Sequence, residues 1–187
     1  MPDAVRATVL GRIRALDRRD RAVVMRAAVI GRRFRFAVLL AASRRAEDTV
    51  RAALERACDL QLLIEEDAAG DRYAFRHALT RDVIYDELLQ GRVRPLHRRV
   101  ARVLEAMLAG GDVPLGDLAY HAWAAGDVRR GVRYNELAGD RAAAVHALDD
   151  ARTYYARALG LVAIGSAAYA RVAAKLCAAA PPGAATR

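Results

Sequence analysis

The feature that most constrains this chain is the period of its apolar residues, which is helical almost throughout and is broken once. Val50, Ala53, Leu54, Ala57 and Cys58 fall at i, i+3, i+4, i+7 and i+8, the spacing that lines one face of a helix. Helices are also expected over roughly Ala4 to Leu16 and Arg19 to Ile30, with Gly31 stopping the second, and a short one over Phe34 to Ala42. After Leu60 the pattern changes. Leu62-Leu63-Ile64, the polar turn Glu66-Asp67-Ala68-Ala69-Gly70-Asp71 and the alternating Tyr73-Ala74-Phe75 read as a β-hairpin. Helical spacing resumes at Leu79, Val83, Ile84 and Leu88, and again at Leu96, Val100, Val103, Leu104, Met107 and Leu108.

Three helices leading into a hairpin is the element order of a winged-helix-like domain, in which the hairpin is the wing. From Leu115 the composition turns to alanine, tyrosine and glycine. Leu118, Ala119, Ala122 and Trp123 share a face, Gly126-Asp127 closes that helix, and further helices are expected at about Arg129 to Ala144 and Leu148 to Leu161. Small residues at close contacts, with aromatics filling the gaps, are what stacked helical hairpins of the tetratricopeptide kind require. Roughly one and a half such repeats fit, fewer than the three or so that usually stand alone. The expected fold is therefore mainly α. A winged-helix-like domain spans residues 1–92 and a connecting helix 93–114, set off by a pause over Gly91 to Pro95. Tetratricopeptide-like helical hairpins follow over 115–163, then a terminal helix and a disordered tail over 164–187, containing Pro181-Pro182-Gly183.

With 187 residues, 55% of them hydrophobic, the chain can fill one generous core or two small ones. Arginines interrupt its apolar runs, as Arg26 does between Val23 and Ile30, so nothing approaches the roughly 20 apolar residues of a membrane span. The opening Met1-Pro2-Asp3 has no basic stretch followed by an apolar run, and the expected location is cytoplasmic. The formal charge of +9 suggests nucleic acid, but of 31 basic residues only Lys175 is lysine. Arginine in that excess, beside so much alanine, reads as codon composition rather than a binding stripe, although Arg92 to Arg102 is locally dense. Cys58 and Cys177 are far apart, each in an apolar helical pattern, and read as buried reduced thiols.

Chemistry-bearing patterns are few. A P-loop needs a glycine-rich loop followed by lysine, and the chain has no Gly-Lys pair. Val83-Ile84-Tyr85-Asp86-Glu87 mimics the apolar-then-acidic Walker B pattern but lies in a helical segment. His97, His121 and His146 lack the paired spacing of metal ligands and read as surface or half-buried helical residues. Ser43, Ser166 and Cys58 have no base that spacing identifies, so no nucleophile is expected. Trp123, Tyr134, Tyr154 and Tyr155 have spacings that suit a core better than a ligand groove. The expected recognition helix carries Glu47, Asp48, Glu55 and Asp59 beside Arg51 and Arg56, and the wing tip carries Glu65, Glu66, Asp67 and Asp71. Carboxylates there repel a phosphate backbone and argue against a free-standing winged-helix transcription regulator.

The stretch from Tyr73 to Asp86 resembles a segment of large bacterial signal-transduction ATPases of the STAND class, which include long LuxR-type regulators and ATPase modules attached to nucleotide cyclases. Pro2 to Arg6, Ala27 to Phe34 and Leu96 to Ala101 are similar to the same family in the same order, so the resemblance covers most of residues 1–160. It implies that the chain corresponds to the middle of such a protein. The nucleotide domain would precede it, and a DNA-binding or cyclase module often follows. On that basis the chain is a non-catalytic regulatory or interaction fragment. It would need no cofactor of its own, ATP or ADP being bound by the absent domain, and its partner would be that domain, in cis or in trans, or another protein. The resemblance also implies that His77 senses the diphosphate of bound ADP, chemistry that an imidazole near a helix N-terminus can perform. The other reading of His77 is a structural cap of the hairpin-helix junction, with Arg76 and Arg81 as solvated surface groups. A third functional class, a helical-repeat scaffold, predicts binding through the concave face of residues 115–161.

Overall fold

Asp17 ends one helical pattern and starts the next. In the computed structural model, which describes residues 3–88, 90–110 and 113–179, its carboxylate accepts the amides of Arg19 at 2.7 Å and Asp20 at 2.8 Å. Two of the donors left unpaired at a helix start are thereby satisfied, which separates α1 (Asp3–Ala15) from α2 (Arg18–Ile30). There follow β1 (Arg33–Arg35), α3 (Phe36–Ser43), α4 (Glu47–Asp59), β2 (Leu63–Glu65), β3 (Arg72–Phe75), α5 (Ala78–Asp86) and α6 (Gln90–Met107). The chain divides into two units at Val103 and Leu104.

The hairpin forms where the alternation places it, β2 antiparallel to β3 with Ile64 opposite Ala74. The sheet has a third strand, in the order β1-β3-β2, with Phe34 opposite Tyr73. Residues 33–35 therefore do not begin the helix expected from Phe34. Phe34 stacks on Tyr73 at 5.9 Å and tilts against Phe75 at 6.2 Å, burying its ring while Arg33 and Arg35 point to solvent. The helix starts two residues later, at Phe36, whose amide donates to the Asp71 carbonyl at 2.8 Å. Val23, Val24, Leu39, Leu54, Leu62, Phe75 and Ile84 make up the centre of this unit's core, all at most 1% exposed. Each such side chain contributes roughly 1.5–3 kcal/mol by leaving water.

The pause expected over Gly91 to Pro95 is absent. α6 runs through it, with Pro95 in its early turns, where the missing amide removes one hydrogen bond to the preceding turn. A 3-10 turn, Leu108–Gly110, leads to α7 (Leu115–Ala124), α8 (Val128–Ala144), α9 (Leu148–Leu159) and α10 (Ala167–Ala178). Asp127 caps α8 through the amide of Arg130, and Ser166 caps α10 through that of Tyr169, both at 3.1 Å. Glycines set how closely these helices approach, Gly116 on α7 against the Tyr154 hydroxyl among them. A Cβ on Gly139 would overlap the Tyr155 ring, and one on Gly131 would meet the Leu161 side chain and lie 3.5 Å from the Ala122 carbonyl. Asn135, fully buried, donates at 2.8 Å to the carbonyls of Ala119 on α7 and Gly131 on α8. α10 packs Val172 and Ala179 against Ala151, Tyr155 and Ala158 of α9. The tail expected to be disordered lies outside the described residues from 180 onward.

The fold is thus mainly helical with one small antiparallel sheet. No helix among the described residues is long and apolar enough to cross a membrane.

Candidate functional site

His77 lies at the junction between sheet and helix, and the backbone alone builds that junction. The Phe75 amide donates to the Arg32 carbonyl at 2.9 Å and the Arg76 amide to the Leu62 carbonyl at 3.1 Å, which closes the sheet. His77 is then extended (φ −132°, ψ 144°) at the N-cap of α5, and its carbonyl accepts the Thr80 amide at 3.0 Å. Its imidazole makes no capping hydrogen bond and is exposed. The ring therefore stands in solvent beside the first turn of α5, where helix amides favour an anion. Arg76 is also exposed.

Arg81 is not the solvated group expected. Its Nε donates to the Ala28 carbonyl of α2 at 2.9 Å, its Nη1 meets Asp82 at 3.1 Å, and its guanidinium lies 4.4 Å from the centre of the Tyr85 ring. Tyr85 in turn shares a 2.8 Å hydrogen bond with His97 Nε2. His97 was expected at or near the surface but is fully buried, because its place on α6 faces the core rather than solvent. Burial, with the charge of Arg81 adding to it, pushes its pKa down to about 4, so the ring is neutral at physiological pH. Arg81, Tyr85 and His97 thus tie α2, α5 and α6 together. In the Walker B-like stretch, Val83 and Ile84 are buried in α5, and Asp86 and Glu87 pair with Arg6 at 3.9 and 2.8 Å.

The outward charge of α4 is one-sided. Arg51 pairs with Glu47 at 2.8 Å and its guanidinium lies 4.1 Å from the centre of the Phe36 ring; Arg56 pairs with the buried Asp20 of α2. Asp48, Glu55 and Asp59 remain exposed. In the hairpin, Asp67 accepts the amides of Asp71 at 2.9 Å and Arg72 at 3.3 Å to hold the turn, and Glu66 pairs with Arg33 at 2.8 Å. Glu65 and Asp71 are exposed beside them.

In the second unit the aromatics divide. Tyr134 and Tyr155 are core, as their spacing suggests, and donate at 2.7 Å to Glu105 and at 2.8 Å to Asp140. Burial, then the bond to Asp140, pushes the Tyr155 phenol up to about 12. Trp123 and Tyr154 are not core: Trp123 is 38% exposed, and with Tyr120 these rings surround Arg157, whose guanidinium lies 5.5, 5.4 and 5.9 Å from the centres of Tyr120, Trp123 and Tyr154. Sequence reasoning missed this cluster. Its signal was present in the helical spacing of Tyr120 with Trp123 and of Tyr154 with Arg157. His121 is buried with its edge toward Tyr120, not at the surface, while His146 is exposed in the turn after α8 at φ 60°. Cys58 is half-buried and Cys177 exposed, so the expectation of two buried thiols fails at Cys177, which falls on the outer face of α10. An open groove of about 640 Å³ runs beside α8, lined by Val128, Arg129, Val132, Leu137 and Arg171 among others.

Among the described residues no cluster of histidine, cysteine, aspartate and glutamate could hold a metal ion. Among the described residues, no hydrogen bond or ion pair ties the His77 ring to another side chain. Comparison with protein-family models, curated proteins and solved structures finds no match to this chain.

Proposed function

We propose that the chain is a non-catalytic regulatory and interaction module of the STAND type, a winged-helix-like unit followed by tetratricopeptide-like helices. Its partner is a nucleotide-binding domain or another protein. Support for the first unit comes from the order helix, strand, helix, helix, hairpin, with the lone strand paired to the second hairpin strand. Support for the second comes from consecutive helices in close contact over Gly131 and Gly139. In the long family the winged helix holds the nucleotide domain closed, and a signal received by the repeats shifts the population toward the open form.

The observation that carries the choice of a protein partner over DNA is the charge of α4. In a DNA-reading winged helix this element enters the major groove and its cations neutralise phosphates. Here both arginines of α4 are engaged within the fold and its remaining exposed charges are carboxylates.

Fluorescence anisotropy of the purified chain against random duplex DNA at about 0.15 M salt tests this. No saturable binding is expected, and saturable binding with a steep salt dependence would promote the transcription-regulator reading instead. Thermal unfolding with ADP probes His77. Nucleotide that binds the folded form raises the midpoint by mass action. A rise lost in His77→Ala assigns the sensor role to this imidazole, and a rise that survives the substitution shows that other groups of the chain hold the nucleotide.

A further inference from the structure

One pocket in the first unit gathers four arginines on its wall. Arg18, Arg19, Arg21 and Arg45 line it together with Ala22 and Met25, and its volume is about 590 Å³, inside the range of roughly 300–1,000 Å³ typical of small-ligand pockets. Among the described residues no carboxylate lines it. Of the acids nearest in sequence, Asp17 accepts the amides of Arg19 and Asp20 and feels the charge of the Arg19 side chain, and Asp20 is paired with Arg56. Arg21 is held in place by the carbonyls of Ile13 at 3.1 Å, Arg14 at 3.1 Å and Leu16 at 3.0 Å, so its position is fixed by backbone acceptors at the end of α1.

Arg26 lies within electrostatic reach of Arg45, one of the lining residues. Arg26, one residue beyond Met25, is half-buried, and its Nη1 donates to the Ala22 carbonyl at 2.7 Å while its Nε is buried without a partner among the described residues. Arg45 and Arg99 both repel it, adding to the burial that already lowers its pKa. Arg21 and Arg45 are half-buried while Arg18 and Arg19 are exposed; like charges gathered together cost free energy in the empty protein, and an anion relieves that cost. Guanidinium groups match phosphate oxygens two bonds at a time, and lining side chains such as Met25 offer hydrocarbon to the organic part of a phosphate ester.

We propose that the pocket bounded by Arg18, Arg19, Arg21 and Arg45 binds a small organic phosphate, with the guanidinium groups on its phosphate oxygens and Ala22 and Met25 against its apolar part. A single concave pocket with an apolar lining suits such a molecule better than a nucleic acid, whose backbone needs cations along an extended track. The site is separate from His77 and does not depend on the regulatory reading.

The test is calorimetric titration of the whole chain with inorganic pyrophosphate and with ADP at about 0.15 M salt. Four proteins are compared with the parent: Arg45→Gln, the double variant Arg18→Gln with Arg19→Gln, His77→Ala, and a charge-matched control, Arg129→Gln with Arg133→Gln, in the other unit. One saturable site is expected, tighter for ADP than for pyrophosphate. It should weaken about tenfold or more, a loss of about 1.4 kcal/mol, in both pocket variants and stay unchanged in His77→Ala and the control. Without ligand, the thermal midpoint of Arg45→Gln should equal or exceed the parent's, because a repulsion has been removed. Non-saturating heats, an equal loss in the control, ADP binding no tighter than pyrophosphate, or a lowered ligand-free midpoint in Arg45→Gln would each overturn the proposal. So would duplex DNA that displaces ADP from the same arginines at lower concentration.

Discussion

The two units are built on different principles. Up to Val103 the interior is branched and aromatic hydrocarbon, Val23, Val24, Leu39, Leu54, Phe75 and Ile84 around a small sheet. From Leu104 the helices approach over glycine and alanine, and polar atoms of Tyr134, Asn135 and Tyr155 close the contacts. The first kind of core depends on area and volume and tolerates swaps that conserve both. The second depends on the missing side chains of its glycines and on buried side-chain donors reaching their acceptors, so a single methyl group is felt there.

The largest effect should come from emptying the first core. Phe75→Ala removes a ring that is 1% exposed and lies between Phe34 and the helices, and should cost about 3–5 kcal/mol in denaturant unfolding. Hydrogen exchange should then show lost protection in the strands before it shows any in α8 and α9. An unchanged midpoint would mean that the first unit does not depend on this core.

Next in size is a pH effect confined to the first unit. His97 has a folded pKa of about 4 against an ordinary 6.5, so the unfolded chain takes up the proton first. The stability is therefore fully present above pH 6.5 and is lost as pH falls from there toward 4, by about 3 kcal/mol in all. In His97→Gln that part of the pH slope should vanish. If it persists, the slope belongs to other groups.

A matched pair of glycine substitutions sharpens the contrast further. Gly139→Ala forces a methyl group into the ring of Tyr155 and should cost about 1–3 kcal/mol. Gly11→Ala lies in α1 with nothing within 4 Å of the new carbon, and should stabilise by about 0.5–1 kcal/mol through lost unfolded-state freedom. Thermal midpoints moving in opposite directions are the expected result, and two shifts of the same sign would break the comparison.

The smallest effect belongs to the ion pairs that fasten α10. Glu136 receives Arg171 at 2.9 and 3.0 Å and Lys175 at 2.9 Å, and the bond to Arg171 above all pulls its pKa down to about 2. Glu136→Gln should cost at most about 1 kcal/mol near neutral pH, since Arg171 is half in solvent. That cost should shrink below pH 4.5 and disappear as the folded carboxylate itself protonates near pH 2.

What could be read in advance follows from the range of the forces. The helical spacing of Val50 to Cys58 and the alternation of Tyr73 to Phe75 are local patterns, and α4 and β3 form where they predict. The acidic outer face of α4 was legible for the same reason, since four of its carboxylates are named by sequence alone. His77 was placed correctly at the start of α5, but whether its ring would cap that helix was not readable, because the cap is made by backbone groups whose positions the sheet sets. The groups around Arg45 were individually visible and collectively hidden. Arg21 on α2 and Arg45 in the turn after α3 are far apart in sequence, and only the folded chain brings them to one pocket.

By itself the sequence determined the helices, the hairpin and the absence of a P-loop, all of which depend on residues within a few positions of one another. Tertiary structure alone decided that Arg33 to Arg35 would be a strand, since its partners, Arg72 to Ala74, are distant along the chain and three residues carry too little pattern to announce it. It also decided that His97 and His121 would be buried and that Arg81 would be bound across α2. A polar side chain has no period of its own, and its environment is set by whichever element packs against it.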